Sequence, residues 1–422
     1  MEKLIIHNFL TIRSAEIEVR RFNLFIGPQA SGKSIIVKLL YFFKAEFGNA
    51  FKETVLKMPG RDKLEEALKK KFDTIFPKRY WNAQEFRIEY RCGELTLLVR
   101  TVKDSSGETR WSITCSEGVY ELQSTLKEKY KISLETSAQQ NNKFSEISFN
   151  FFEFTYSTII AQSIYTKNFE GQIFIPANRS FFASLQKNIF SILSGKIDID
   201  YFLTLFGSTY EQAKRFFPEK CLILENEYIL EIMEEIIRGR YEDDDGEDWI
   251  VNATGKVNLA HASSGQQESL PMLLVLSVLP LAYEDSRRGF FIEEPEAHLY
   301  PVSQKAVISL LALITNKTQH QFFITTHSPY LLTALNNCII AHETYAAADE
   351  AGKQKVLEIM PEHQHIAFAD VAAWTVTEKG TIESILDQEA QIIGASILDG
   401  VSQHFETVTN ELLDIRYYGQ SL

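Results

Sequence analysis

The sequence of 422 residues contains only four cysteines and no CxxC pair. A zinc site needs clustered ligands, and a disulfide framework is typical of small secreted chains, so this spacing disfavours both. The longest apolar run, at 270–282, is short and contains two prolines, so it is too short to cross a bilayer. We therefore predict reduced, mostly buried thiols at Cys92, Cys115, Cys221 and Cys338.

A secretory leader is also missing from the start of the sequence. Residues 1–19 alternate apolar and polar side chains as a strand does. They lack the basic start, the apolar centre and the small-residue cleavage site of a signal peptide. We expect a cytoplasmic protein with no membrane partner.

An excess of positive charge is absent as well. The formal net charge is −13, and the phosphate backbone of a nucleic acid repels such a surface in general. Local contact with nucleic acid stays open, and its best candidate is the basic stretch Lys57–Arg79. At helical spacing the same charges also suit a solvated helix face.

Hydrophobic periodicity divides the chain into strands and helices, and no sustained heptad pattern predicts a long coiled-coil arm. The acidic run 242–248 suits a solvated hairpin or loop tip, with a metal site or an autoinhibitory flap as alternatives. The other predicted elements are strands at 3–9, 15–26 and 172–177, a helix from Lys33, a second helix at 61–76, an antiparallel meander at 85–122, and mainly helical structure at 181–240.

The segment GPQASGKS fits the phosphate-loop pattern G-x-x-x-x-G-K-[ST], with a buried strand directly before it and a helix directly after it. Glycines let backbone N–H groups turn towards phosphate oxygens, and the helix adds its positive N-terminal end. Lys33 supplies a charge to the β- and γ-phosphates, and the Ser34 hydroxyl binds Mg²⁺. The predicted nucleotide-binding residues of this loop are Gly27, Pro28, Gln29, Ala30, Ser31, Gly32, Lys33 and Ser34.

A second motif, GFFIEEPEAHLYP at 289–301, ends an apolar strand with two carboxylates. Open α/β sheets place their chemistry at such strand ends. Glu293 would hold Mg²⁺ through water, and Glu294 would act as the general base on the attacking water. A surface pair at a strand end would also produce the pattern, but the preceding phosphate loop favours a Walker B segment.

The segment SSGQQE at 263–268 allows two interpretations. Ser264 could cap a helix while Gln267 returns the bond, in a capping box. Alternatively, Ser264, Gly265 and the helix N-terminus could form a second anion site. A chain that already binds phosphate has use for such a site only if it faces the γ-phosphate of a partner across a dimer interface.

The fourth motif, FFITTHSPYLL, places His327 at the end of another strand. A lone histidine is more often a structural residue. This one lies one helix after the Walker B segment and at the same predicted sheet edge. It is therefore a candidate contact for the γ-phosphate.

The order of these four motifs resembles the ABC-type ATPase head of SMC, RecF and OLD-like proteins. The segments EEPEAHLYP and TTHSPYLL are most similar to those of OLD-type and related prokaryotic anti-phage defence ATPases. The resemblance covers about 1–50, 170–180 and 255–340. It implies an α/β fold, in which a mixed sheet carries the phosphate-loop helix and an antiparallel β subdomain lies beside it, with a largely helical inserted lobe.

The same resemblance implies a role for each matching residue. Lys33 and Ser34 would bind phosphate and Mg²⁺, Glu293 would organise the metal, Glu294 would be catalytic and His327 would be the switch. Ser264 and Gly265 would contact ATP bound to a partner. Two departures are Glu293 in place of the usual aspartate and Gln266 in place of a second glycine. Asn178 or Arg179 would occupy the place of the Q-loop residue, and the predicted nucleotide contacts outside the phosphate loop are Ser264, Gly265, Gln266, Asn178 and Arg179.

For the domain organisation we predict an ATPase head formed by 1–50 and 255–345. The prediction adds an inserted lobe at 51–254 and a mixed α/β tail at 346–422 that packs on the head. The predicted function is a slow, Mg²⁺-dependent ATPase that pairs with itself, as a dimer or a larger even-numbered assembly. It would regulate a defence complex with a separate effector, such as an HNH or TOPRIM-type nuclease. The alternative is a RecF-like ATPase that binds DNA in an ATP-dependent way.

Overall fold

The computed structural model describes residues 2–57, 62–81, 85–103, 109–138, 151, 171–185, 199–223, 227–283 and 287–394. Part of the predicted helical stretch and the end of the predicted tail, 395–422, lie outside these residues. The strands are β1 Glu2–Phe9, β2 Ile12–Val19, β3 Phe22–Ile26, β4 Arg87–Cys92, β5 Leu95–Lys103, β6 Thr109–Cys115, β7 Ile173–Ile175, β8 Arg240–Asp244, β9 Glu247–Asn252, β10 Gly255–Asn258, β11 Gly289–Glu293, β12 Gln321–Thr326, β13 Val371–Val376, β14 Ile382–Ser384, β15 Leu386–Asp387 and β16 Ile392–Ile393.

The described α-helices include two that matter most for the site, the helix after the phosphate loop and the helix that follows Ser263. A π-helical segment, Phe42–Glu46, joins the first of these to the next helix. The α-helices are α1 Lys33–Tyr41, α2 Phe47–Lys57, α3 Asp62–Ile75, α4 Glu117–Ala138, α5 Ser180–Leu185, α6 Tyr201–Ile223, α7 Glu227–Ile237, α8 Ser264–Ala282, α9 Pro301–Lys317, α10 Pro329–Ala347 and α11 Glu350–Ile359.

A six-stranded sheet forms the centre of the fold, in the order β14-β13-β3-β12-β11-β7. The five strands from β7 to β13 run parallel, and β14 is antiparallel to β13. Every residue of β3, β11 and β12 is buried, as is typical of parallel strands covered on both faces. The carboxyl ends of the parallel strands therefore meet at one edge, which carries the candidate site.

Both faces of the central sheet are covered by apolar side chains. Leu24 and Ile292 point into a core formed with α8, α9 and α10, whereas Phe25 and Phe291 point into a second core formed with α1. The alternation follows from the two-residue period of a strand. Each fully buried side chain of this size contributes about 1.5–3 kcal/mol of burial free energy, so the sheet is firmly held between the two layers.

The second core is closed by an antiparallel sheet in the order β2-β1-β4-β5-β6. Leu4 is paired with Ile17 on one side and with Tyr90 on the other, and all three side chains are buried. The phosphate-loop helix α1 thus lies between two sheets. The predicted α/β fold, with a mixed sheet and an antiparallel subdomain beside it, is confirmed, and no long coiled coil is present in the described part of the chain.

Two predicted boundaries are wrong. The predicted strand 15–26 is two strands, because Arg20 and Arg21 turn the chain from the antiparallel sheet into the central sheet, and Asn23 closes this turn by accepting from the Arg20 N–H. The predicted meander at 85–122 ends at Cys115, and helix α4 starts at Glu117. The predicted domain division stays a prediction, although β4 and β7 of the predicted insert pair with β1 and β11 of the predicted head.

The acidic run 242–248 forms a hairpin, as predicted. Asp245 and Gly246 both have positive φ, which is the geometry of a tight two-residue turn. Asp248, in strand β9 of the hairpin, is fully buried and accepts hydrogen bonds from the hydroxyls of Tyr210 and Tyr241. Its carboxylate also lies 2.9 Å from Lys214 Nζ. In the described residues, no group of three or more His, Cys, Asp or Glu side chains is placed to hold a metal ion.

Within the part of the chain that the structure describes, we find no helix whose length and apolar character would let it cross a membrane. The apolar helix α8 is instead buried inside the protein along most of its length.

Candidate nucleotide site at the edge of the central sheet

The phosphate loop connects the end of β3 to the start of α1, and two of its glycines are required by their surroundings. Gly32 has φ +109°, and a Cβ atom there would lie 2.7 Å from Thr11 Oγ1. A Cβ atom at Gly27 would lie 2.5 Å from the carbonyl oxygen of Val376. The loop is therefore packed between the β1–β2 turn and the end of β13, and only glycine fits at both positions.

A turn after β13 holds these two neighbours together. The Arg13 N–H donates to the Gly380 carbonyl at 2.8 Å, and Ser14 forms a bridge with Thr381. This turn, Thr377–Thr381, and the β1–β2 turn form one wall of the phosphate loop. No pattern in the sequence indicated that the tail contributes this wall.

Lys33 lies at the centre of the site, and its side chain is 5% exposed. Its amine donates to the carbonyls of Gly27 and Pro28 at 2.8 and 2.7 Å, and it lies 3.3 Å from His327 Nδ1. Burial lowers the pKa of Lys33 to about 8, while the nearby carboxylates of Glu294 and Glu296 act in the opposite direction. The ammonium group is thus in a dry environment, where its attraction for a phosphate is strengthened.

Glu294 and His327 meet at the same edge. His327 Nε2 lies 2.9 Å from Glu294 Oε1, so the histidine ring lies between Glu294 and Lys33. The backbone of Glu294 has φ +45°, a strained conformation for a residue with a side chain, and its N–H donates to the Thr325 carbonyl. The structure therefore brings together the three residues that the sequence predicts as catalytic.

Glu296 is a site residue that the sequence reasoning missed. Its Oε1 accepts from the His327 N–H at 2.8 Å and from the Thr326 hydroxyl at 2.6 Å, which fixes the end of β12 against the loop after β11. Its other carboxylate oxygen is buried without a hydrogen-bond partner. The signal was available in the sequence, because Glu296 is the third carboxylate of EEPE.

Of the two predicted metal ligands, Glu293 has a carboxylate that suits a Mg²⁺ ion, and both residues stay predicted ligands. Glu293 is the last residue of β11, and its side chain is 6% exposed. Its Oε2 is 3.5 Å from the Ala177 N–H, and its Oε1 is buried without a hydrogen-bond partner. A buried carboxylate oxygen of this kind needs a cation or a water, and Mg²⁺ with its retained waters supplies both. Ser34, in the first turn of α1, is exposed.

The capping box at α8 is shifted by one residue from the prediction. Ser263, not Ser264, has the extended backbone of an N-cap, and its hydroxyl accepts from the Gln266 N–H. Gln266 returns the bond to the Ser263 N–H at 3.1 Å and donates to the Ile237 carbonyl at 2.7 Å. The side chain of Gln266 is therefore used inside the chain, whereas the predicted nucleotide contact remains a prediction.

Ser264 and Gly265 are the first two residues of α8. The Ser264 side chain is exposed and takes no part in the cap. A Cβ atom at Gly265 would lie 2.8 Å from the His298 carbonyl, so the helix closely approaches the loop that follows the Walker B strand. His298 itself has φ +59°.

The structure places Arg179 in the interior beneath the site, and not at the nucleotide contact that the sequence predicts for it. Its side chain is fully buried, and its guanidinium donates to main-chain carbonyls beneath the site. The neighbouring Asn178 is exposed, with φ +59°, and stays a predicted contact.

The geometry defines a class of protein. The site has the parts of a P-loop nucleoside triphosphatase. These are a phosphate loop between strand β3 and helix α1, a carboxylate pair at the end of β11, and a histidine at the end of β12, which lies between those two strands. The chain belongs to the AAA ATPase domain family, whose model matches residues 1–332.

Comparison with solved structures finds several similar proteins. The SMC head domain from Thermotoga maritima is 14% identical to this chain, with a TM-score of 0.35. The match covers 79% of this chain and 90% of the SMC head domain. The Smc head domain with an extended coiled coil bound to the C-terminal domain of ScpA, from Pyrococcus furiosus, is 13% identical, with 95% and 100% covered and a TM-score of 0.38. The recombination mediator protein RecF is 11% identical, with a TM-score of 0.30, and the match covers 91% of this chain and 97% of RecF. No curated protein sequence matches the chain.

Proposed function

We propose that this ATPase is of the ABC/SMC-like kind and hydrolyses ATP with Mg²⁺ at a site that two copies close together. The contact series from Lys33 to His327 to Glu294 supports the proposal, because a cation suited to phosphate and a carboxylate suited to the role of base lie on either side of one imidazole. Mg²⁺, when bound, neutralises phosphate charge and orients the triphosphate.

Each residue then has a chemical role. Lys33 leaves the carbonyls of its own loop to bind the β- and γ-phosphates, and Ser34 and Glu293 would hold Mg²⁺. Glu294 accepts the proton of the attacking water. His327, whose backbone is fixed by Glu296, contacts both Glu294 and Lys33 and can register the loss of the γ-phosphate.

The pairing of two copies is supported by the surface around the site. The Ser264 side chain is exposed at the N-terminus of a 19-residue helix, where an anion of another chain is favoured. Tyr300 and Tyr330 are 75% and 55% exposed, and Gln304 connects the segments before them through hydrogen bonds to Leu299 and Ser328. Exposed tyrosines around a polar site are typical of protein interfaces.

The test of the proposed activity uses Glu294→Gln, which keeps the shape of the side chain but removes the base. We expect ATP binding to persist, phosphate release to fall by about 100–1,000-fold, and a dimer to accumulate with ATP. Lys33→Ala is the matched variant that should lose nucleotide binding itself. A Glu294→Gln protein that releases phosphate at the wild-type rate would disprove the assignment of the base.

We further propose that this ATPase is the scaffold or sensor of an anti-phage complex with a separate effector nuclease. Support comes from the segments EEPEAHLYP and TTHSPYLL, which resemble the corresponding segments of defence ATPases. Purification of the tagged chain from its native host should retain a nuclease, and Lys33→Ala should abolish protection against phage. Full phage resistance of the Lys33→Ala strain would refute the role.

A further inference from the structure

Arg179 lies in the interior, between strand β7 and helix α5, and its side chain connects two segments that carry the chemistry. Its Nη1 donates to the carbonyls of Pro176 and Glu293, both at 2.8 Å. Its Nη2 donates to the Glu294 carbonyl at 3.1 Å. The guanidinium therefore holds the backbone of both Walker B carboxylates from beneath.

Glu268, in the second turn of α8, holds Arg179 in turn. Its two carboxylate oxygens accept from the N–H groups of Arg179 and Ser180 at 2.8 and 3.2 Å. The Arg179 Nε–H donates to the Glu268 carbonyl at 2.8 Å, and the side chains form an ion pair at 3.7 Å. The two side chains are 0% and 4% exposed, so solvent does not compete for these bonds.

The arrangement matters because Glu294 has a strained backbone. A residue with φ +45° keeps that conformation only when its surroundings impose it. Bonds to both of its backbone groups do so here: the Glu294 N–H donates to the carbonyl and the hydroxyl oxygen of Thr325, and the Glu294 carbonyl accepts from the Ala297 N–H and from Arg179. The direction of the Glu294 side chain towards His327 depends on this backbone.

We propose that Arg179, held by Glu268, is a positioning residue for Glu294 and connects the base to the first two turns of α8. This inference rests on the proposed function, because it assumes that Glu294 is the base. The α8 turn that presents Ser264 and Gly265 lies one turn before Glu268. A displacement of that turn on meeting a partner copy is therefore passed through two buried side chains to the backbone of Glu294.

The close approach of Gly265 to the His298 carbonyl gives α8 a second contact with the same loop. Because Gly265 and Glu268 lie three residues apart on one helix, they move together when the helix turns or shifts. The first turn of α8 and the Walker B loop thus behave as one unit, and contact between copies can regulate the base.

The experiment measures the steady-state kcat and KM for ATP of Arg179→Lys and Glu268→Gln. Lysine keeps the charge, but its three-donor ammonium cannot replace the planar guanidinium that donates to four carbonyls here. We expect kcat to fall by about 10–100-fold, as a small misplacement of a catalytic group does, with KM changed less than about twofold. In the Glu294→Gln background, Arg179→Lys should lower the residual rate less than about twofold, because the group that it positions is already gone.

The matched control is Lys44→Met. Lys44 is also a fully buried cation with a buried carboxylate partner, Glu2, but its amine donates to Glu2 and Gln321 rather than to the Walker B segment. We expect this variant to lower the melting temperature while the kcat of the folded protein stays within about twofold of wild type. If Arg179→Lys does not fold, Glu268→Gln provides the same measurements.

The outcomes separate this inference from the proposed function. Wild-type kcat in both Arg179→Lys and Glu268→Gln, together with an inactive Glu294→Gln, would overturn the positioning role alone. Two results would show that Arg179 has only a structural role. One is a loss of kcat in Lys44→Met as large as that in Arg179→Lys, and the other is that Arg179→Lys lowers the rate of the Glu294→Gln protein by the same factor as it lowers the wild-type rate. Normal turnover by Glu294→Gln would instead overturn the proposed function.

Discussion

Lys33 has a charge that depends on pH near neutrality, because burial lowers its pKa to about 8. The protonated amine is the form that attracts phosphate. Nucleotide affinity should therefore be complete below about pH 7 and fall as the pH rises through 8, to about tenfold weaker at pH 9. Titration with a fluorescent ATP analogue between about pH 6.5 and 9.5 measures this.

The control for this prediction is Lys33→Arg, whose guanidinium stays charged throughout the range and should give a flat profile. Circular dichroism at each pH checks that the fold is intact. Constant affinity of the wild-type protein from about pH 7 to 9 would contradict the prediction.

At the same scale, the sequence predicted which residues meet but not all of their contacts. Lys33, Glu294 and His327 each follow a strand in a recognisable motif, and a parallel sheet brings such strand ends together. Arg179 could not be placed in this way, because its partners are main-chain carbonyls of distant segments, which no side-chain pattern encodes. The cap moved from Ser264 to Ser263 because two adjacent serines fit the same capping pattern.

Among the elements, α8 has the most direct test of pairing between copies. Ser264→Arg places a long, charged side chain on the exposed start of the helix. We expect single-chain ATP binding to be unchanged, but the ATP-dependent dimer of the Glu294→Gln protein should be lost, as measured by light scattering.

The control in the same turn is Ser263→Ala, which removes the cap and should cost about 1 kcal/mol of stability while the dimer still forms. A Ser264→Arg protein that dimerises with ATP as well as its parent would argue against a role of α8 in the interface.

The acidic hairpin β8–β9 depends on one of its carboxylates far more than on the others. Asp248→Ala would leave the buried Lys214 amine without its closest ion-pair partner and two tyrosine hydroxyls without their acceptor. We expect a loss of about 3–5 kcal/mol in the free energy of unfolding, measured with urea. Asp245→Asn, which tolerates the positive φ of this exposed turn, should change it by less than about 0.5 kcal/mol. Equal losses in the two variants would show that the buried carboxylate has no special role in the hairpin.

For the whole molecule, the net charge of −13 and the paired charges of the basic stretch bear on the RecF-like alternative. Lys63 and Lys71 form ion pairs with Glu66 and Glu46. We therefore expect no tight, ATP-dependent binding of double-stranded DNA at about 200 mM salt by fluorescence anisotropy. Binding that survives this salt and disappears in a Lys70→Glu, Arg79→Glu double variant would favour the alternative.

The architecture as a whole was predicted in class but not in connectivity. The alternation of apolar and polar residues and the continuous apolar runs indicated the strands. Nothing in 15–26, however, marked the change from one sheet to another at Arg20 and Arg21. Such a change depends on which partners β2 and β3 find, and these partners lie as far away as β13.

The wall that Val376 provides for Gly27 has a consequence for how the protein is made. During synthesis the phosphate-loop sequence leaves the ribosome early, but β13, which pairs with β3, follows only after most of the chain has been made. A nascent chain that ends before residue 371 has the loop without its neighbouring strand and without the turn that supports it. The nucleotide pocket is therefore finished only when nearly all of the described chain has been translated, and half-made chains should not draw on the ATP pool of the cell.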